Sequence, residues 1–310
     1  MISHLIIAGR TLTWGSRTYI MGILNITPDS FSGDGLIAPS SQSQSSTLSD
    51  KQGMGENGIS TAMELARRFV AAGADILDVG GESTRPGAEP VSAAVEIERV
   101  LPVIRALATE LDVLVSIDTY KAEVAEAALE AGAHLVNDVW GLKADPGLAH
   151  VIARRHVPVI LMHNRSSWAN AEIRERLGGR YVGIPYVNLL EDIQHELMES
   201  VAIAQAAGIP TEHIILDPGI GFGKTVEQNL ELFNRLDEIR ALGFPVLVGP
   251  SRKSFIGYTL NLPPDQRLEG TAAAVAVSIV RGADIIRVHD VEFMVRVVRM
   301  TDAIVRQKIS

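Results

Sequence analysis

Residues 60–81 read STAMELARRFVAAGADILDVGG, and this stretch holds one complete unit of the fold. Residues 60–72 read as a helix, with Thr61 and Glu64 at the spacing of a capping box. Gly73 stands where a helix C-cap is wanted. Residues 75–81 are a short apolar run, as expected of a strand buried on both faces. The junction returns as Ala131-Gly132-Ala133-His134 and Arg281-Gly282-Ala283-Asp284, each between a helical pattern and a strand-like run.

Outward from this unit the alternation covers the chain. Strand-like runs fall at 19–25, 75–81, 113–119, 135–141, 157–163, 214–219, 244–250 and 284–289. Helical patterns fall at 60–72, 93–111, 123–131, 146–156, 187–207, 226–242, 267–281 and 291–308. Eight β/α units with short turns predict an α/β fold, a closed (β/α)8 TIM barrel, rather than an open sheet. The 310 residues accommodate one such barrel as a single domain with additions. Residues 4–18 read as a short N-terminal hairpin that plugs the bottom. Residues 36–58, rich in Ser, Gln and Gly, read as an enlarged, mobile loop after strand one. Residues 165–185 read as a further loop.

Composition narrows the function. Net charge is −9 with no basic tract, which argues against nucleic acid as a partner. The chain has no cysteine, which excludes disulfides and thiolate metal sites and suits a cytoplasmic protein. The apolar run Leu5-Ile6-Ile7-Ala8 is too short for a signal-peptide core, and residues 271–280 are far too short for a membrane span. GIGFGKT at 219–225 resembles a phosphate loop, but Pro218 stands where the P-loop requires glycine.

In a barrel of this kind the strand C-termini carry the chemistry. Asn25, Asp78, Asp118, Asn137, Asp138, Met162, His163, Asp217, Lys253, Arg287 and His289 all fall at or just beyond strand ends. A lone Asp or Asn there is most simply a cap. So many acids, amides and cations on one rim require partners and point to a ligand. Lys253, Arg287 and His289 suit phosphate oxygens. Asp118, Asn137 and Asp217 suit a flat heterocycle with a donor-rich edge. No Ser–His or Cys–His pair suggests a protein nucleophile.

The motifs MGILNITPDSF (21–31), DVGGESTRPG (78–87), SIDT (116–119), Asn137-Asp138, DPGIGFGK (217–224), Ser251-Arg252-Lys253 and Arg287-Val288-His289 resemble the dihydropteroate synthases, the pterin-binding enzymes of the folate pathway. The resemblance runs from Met21 to Asp290. It implies that a dihydropterin bearing a hydroxymethyl diphosphate is joined to p-aminobenzoate, releasing diphosphate. Carried over by position, it implies that Asp118, Asn137, Met162, Asp217, Phe222 and Lys253 hold the pterin. Thr84, Arg287 and His289 would hold the diphosphate. Phe31, Arg85, Pro86 and Ser254 would form the p-aminobenzoate pocket. Lys253, Arg287 and His289 would be catalytic, Asn25 would face a magnesium ion (Mg2+), and the enzyme would be a homodimer and a sulfonamide target.

Two departures stand out. The family usually reads Ser-Phe-Ser-Asp-Gly-Gly after strand one. Here Ser30-Phe31-Ser32-Gly33-Asp34-Gly35 moves the acid one place, so Asp34 is a displaced second candidate for the metal. Asn164-Arg165 replaces the family's usual Met- and Gly-containing run after strand five. The alternatives are a folate-dependent corrinoid methyltransferase on the same scaffold, expected to lack the 84–87 and 251–253 motifs, and a non-catalytic pterin-binding paralogue.

Overall fold

In the computed structural model, residues 2–27, 56–83, 90–182 and 184–306 are described. The chain opens with an antiparallel hairpin, β1 (His4–Ile7) and β2 (Arg10–Thr13). Its turn places Ala8 at φ 47° and Gly9 at φ 73°, the positive-φ pair that a tight hairpin needs.

Eight parallel strands follow: β3 (Tyr19–Asn25), β4 (Ile76–Gly80), β5 (Leu114–Asp118), β6 (Leu135–Asp138), β7 (Val159–Met162), β10 (Ile214–Asp217), β11 (Leu247–Val248) and β12 (Ile285–Val288). Their order is β10-β7-β6-β5-β4-β3-β12-β11. A parallel bridge between Leu216 and Val246 joins the two ends of that order, and the Leu216 N–H donates to the Pro245 carbonyl at 2.9 Å. The result is the expected (β/α)8 barrel. The Gly-Ala junctions behave as expected: Gly73, Gly132 and Gly282 all have positive φ, at 112°, 112° and 97°.

The local corrections have physical causes. Strand 244–250 shrinks to Leu247–Val248 because Pro245 and Pro250 bring no N–H to the ladder. The first barrel helix spans Glu56–Ala72, so Thr61 lies inside it and the expected capping box does not start it. Residues 56–58 of the expected loop are therefore helical, and the rest of that loop lies outside the described residues. The 226–242 helix breaks at Arg235 (φ −118°, ψ 24°) into Val226–Asn234 and Leu236–Arg240. The expected loop 165–185 contains a second hairpin, β8 (Ala171–Arg174) and β9 (Gly178–Tyr181), where Glu172 pairs with Arg174 and Arg180. A further helix, Ser254–Leu260, follows strand seven.

Successive strand residues alternate between faces, and the two faces form separate cores. Ile20, Leu77, Val115, Val136, Leu161, Leu216 and Val288 face outward under the helices. One residue from the start of each strand (Met21, Ile76, Leu114, Leu135, Ile160, Ile215, Leu247, Ile285) closes the barrel floor, with Leu5, Leu12 and Trp14 of the hairpin packed beneath. The hairpin is thus the plug that the sequence suggested. The apolar floor leaves the upper half of the barrel for polar side chains.

Candidate active site

Two residues beyond that floor, at the same inward parity, stand Asp78, Ser116, Asn137, Met162, Asp217, Gly249 and Arg287. Asn25, Asp118 and His289 follow two residues later still. The guanidinium of Arg287 sits at the centre. Its Nε donates to Asp78 Oδ2 at 2.6 Å, and its Nη2 donates to Asp118 Oδ2 at 2.6 Å. Asn137 Nδ2 also donates to Asp78 Oδ2, at 2.9 Å. Asp78 is fully buried, and its Oδ1 has no hydrogen-bond partner among the described residues. Burial pushes the Asp118 carboxyl up to about 7; Arg287 opposes the rise and Asp78 adds to it. Arg287 itself is held above its ordinary value. Burial lowers it, but Asp78 and Asp118 outweigh that effect.

Lys253 enters from the other side. Its ammonium donates to the Ile220 carbonyl and lies 4.6 Å from the centre of the Phe222 ring, a cation–π contact. Burial lowers Lys253 to about 8, against the pull of Asp217. Asp217 and Met162 are partners in register across β10 and β7. Asp217 Oδ1 accepts the Gly219 N–H at 2.7 Å, and burial raises its pKa against the pull of Lys253. The structure therefore brings Asp118, Asn137, Met162, Asp217, Phe222, Lys253 and Arg287 to one rim. The acceptors Asp118 and Asp217 can take a heterocycle's donors, and Met162 and Phe222 supply apolar faces.

The outer residues divide. Asn25 ends β3 in register with Gly80. The His289 Nδ1 and Ser251 Oγ lie 3.0 Å apart, and the same hydroxyl accepts the His289 N–H at 3.1 Å. Ser254 is the first residue of the Ser254–Leu260 helix. Phe31, Asp34, Thr84, Arg85 and Pro86 lie outside the described residues. No group of three or more His, Asp or Glu side chains able to hold a metal ion occurs among the described residues. An amide oxygen such as that of Asn25 nonetheless fits magnesium, which takes few protein oxygens alongside substrate phosphates.

Several further side chains order the rim residues. Asp78 orients both Arg287 and Asn137, and the signal for it was its parity, two residues past the floor residue Ile76. Ser251 steers His289. Beyond the ends of β4 and β5, Glu82 and Glu96 hold Lys121, at 2.6 Å for Glu96. Only the fold shows that such distant residues meet.

Known proteins converge on the same chemistry. A family model described as "Pterin binding enzyme" matches residues 21–289. A dihydropteroate synthase of Clostridium beijerinckii is 49% identical over 302 residues, covering 97% of this chain and 99% of that protein. Among solved structures, a dihydropteroate synthase from Clostridium difficile in the presence of pteroic acid superimposes with a TM-score of 0.80 at 45% identity, covering 95% of this chain and 99% of that one. The Yersinia pestis dihydropteroate synthase in complex with a sulfonamide drug gives 0.82 at 40% identity, covering 97% and 98%.

Proposed function

The chain belongs to the pterin-binding enzyme family, among the dihydropteroate synthases of folate biosynthesis, and we propose the following division of labour on its rim. As a transferase of this class it joins the dihydropterin diphosphate to p-aminobenzoate and releases diphosphate. Asp118, Asn137, Asp217 and Lys253 hold the pterin edge between Met162 and Phe222. Arg287 and His289, with Thr84, hold the diphosphate. Phe31, Arg85, Pro86 and Ser254 line the place of p-aminobenzoate. The observation that carries this assignment is the convergence of two buried carboxylates, an amide, a lysine and an arginine above an apolar floor.

Arg287 has a double task in this reading. Its bond to Asp118 keeps a buried carboxylate neutralised while the pocket is empty of donors. A pterin that brings its own N–H groups to Asp118 frees part of the guanidinium for the diphosphate. Charge grows on the diphosphate oxygens as the C–O bond breaks, and cations fixed in advance stabilise it. Asn25 would hold magnesium against the same oxygens, where the ion would neutralise part of that charge when bound.

Changing Asp118 or Asp217 to asparagine should leave folding intact and weaken binding of pteroic acid by about 2–3 kcal/mol, roughly 30- to 150-fold. The amide places an N–H where the ligand also offers one. Calorimetry giving wild-type affinity would take that residue out of the pterin site.

The p-aminobenzoate pocket accepts a flat ring with an amine at one end and an acid at the other. A sulfonamide has that form and should compete for the pocket. The pocket would be complete only with magnesium diphosphate in place, so both compounds should bind much more tightly in its presence with a pterin analogue. Titrations with and without these additions measure the difference, and equal affinity would contradict the ordered site. We further place the enzyme in the cytoplasm as a homodimer. Exposed Val280, Met300 and Ile304 (60%, 64% and 68%) on the last two helices support pairing there. Among the described residues no helix is long and apolar enough to cross a membrane.

A further inference from the structure

Lys224 ends the 217–224 motif, yet none of the roles above uses it. Its side chain is buried, 2% exposed, and turns back beneath the loop that precedes it. Its Nζ donates to the Gly219 carbonyl at 2.9 Å and to the Phe222 carbonyl at 3.0 Å, and lies 2.9 Å from His163 Nδ1. Burial lowers Lys224 to about 7, against the pull of Asp217. Its ammonium form has three N–H donors, and three acceptors surround it. His163 follows Met162 directly, and its Nε2 lies 3.1 Å from Glu196 Oε2. Burial, with the nearby Lys224 charge, keeps His163 neutral, lowered to about 4, so its Nδ1 can accept.

The loop holds its own shape through one internal turn bond, from the Phe222 N–H to the Gly219 carbonyl at 3.1 Å. Gly219, Gly221 and Gly223 all have positive φ, at 69°, 80° and 62°. Side chains fix the rest of its backbone. Lys224 takes the carbonyls of Gly219 and Phe222, Lys253 that of Ile220, and the Tyr186 hydroxyl that of Gly223 at 3.0 Å. Asn229 Oδ1 accepts the Gly221 N–H.

We propose that Lys224 is a positioning residue for pterin recognition. It ties the loop that carries Phe222 to the strand end that carries Met162, and so sets the spacing between the two apolar walls of the pterin slot. It touches neither substrate. It acts through the carbonyls of Gly219 and Phe222 and through the ring of His163. This rests on the pterin assignment above.

The test is steady-state kinetics of Lys224→Met on the full chain, with KM for each substrate measured separately and a melting curve alongside. Methionine keeps the length and apolar stem but removes every donor. The expected result is a tenfold or larger rise in KM for the pterin diphosphate, with KM for p-aminobenzoate moving less than twofold. A purely structural role would lower the melting temperature and disturb both KM values alike, and that result overturns the proposal. So does an unchanged pterin KM. If Lys224→Met does not fold, His163→Leu removes one acceptor and keeps both carbonyl bonds. It should raise pterin KM about threefold with p-aminobenzoate again unmoved, and no rise would count against the strut. An inactive wild type in the same assay would refute the pterin assignment instead, so the two failures are distinguishable.

Discussion

Replacing Arg287 with methionine should lower the melting temperature by roughly 6–12 °C and abolish measurable turnover. The guanidinium is the shared counter-ion of Asp78 and Asp118, with both contacts at 2.6 Å. Without it two carboxylates stand close together inside the barrel, one of them fully buried. Removing one partner of a buried pair costs on the order of 3–5 kcal/mol. The Arg287 side chain is 19% exposed, so the lower end, about 3 kcal/mol, applies. At about 2–4 °C per kcal/mol for a chain of this size, that gives the range above. Adding Asp78→Asn to the same variant should recover part of the loss, because it removes a buried charge that no longer has a counter-ion. Thermal melts of the single and double variants decide the matter. A single variant that melts within about 2 °C of wild type would contradict the shared-counter-ion account.

Gly219→Ala should be nearly as damaging. Gly219 has φ 69°, and a Cβ there would overlap the carbonyl oxygen of His163. A left-handed alanine alone costs about 1–2 kcal/mol. The overlap adds roughly 1–3 kcal/mol, because the neighbouring backbone is held by the His163 N–H donating to the Asp217 carbonyl at 2.9 Å. The strain falls where Asp217 caps the Gly219 N–H, so pteroic acid affinity should fall with stability. Gly208→Ala is the matched control. Its φ is 93°, but nothing lies within 4 Å of the added Cβ, so only the conformational cost of about 1–2 kcal/mol should be seen. Urea unfolding of the two variants separates the terms. Equal destabilisation would mean that the 219–223 loop is not packed against β7 as described.

The layout of the barrel was legible because each β/α unit writes its own punctuation. The three Gly-Ala junctions mark where helices stop, and the positive φ of Gly73, Gly132 and Gly282 is the backbone form they encode. The rim residues were legible because they sit at strand ends within distinctive motifs. Asp78 was harder to assign. Its importance depends on facing the same interior as Arg287, 209 positions away in sequence. Lys224 was equally opaque, since a lysine in a glycine-rich run suggests phosphate, and only the packed loop shows it turned inward. The hairpin β8–β9 was missed because Ala171-Glu-Ile-Arg and Gly178-Gly-Arg-Tyr carry no clear apolar alternation. Its cross-strand ion pair between Glu172 and Arg180 supplies what the pattern lacks.

The most direct test of the whole account is product formation by the purified chain. Supplied with 6-hydroxymethyl-7,8-dihydropterin diphosphate, p-aminobenzoate and magnesium, it should release dihydropteroate and diphosphate in equal amounts, as read by mass spectrometry and a coupled diphosphate assay, and omission of either organic substrate should stop both. Tight binding of the pterin diphosphate with neither product appearing would contradict the account and leave a pterin-binding protein without the transferase reaction.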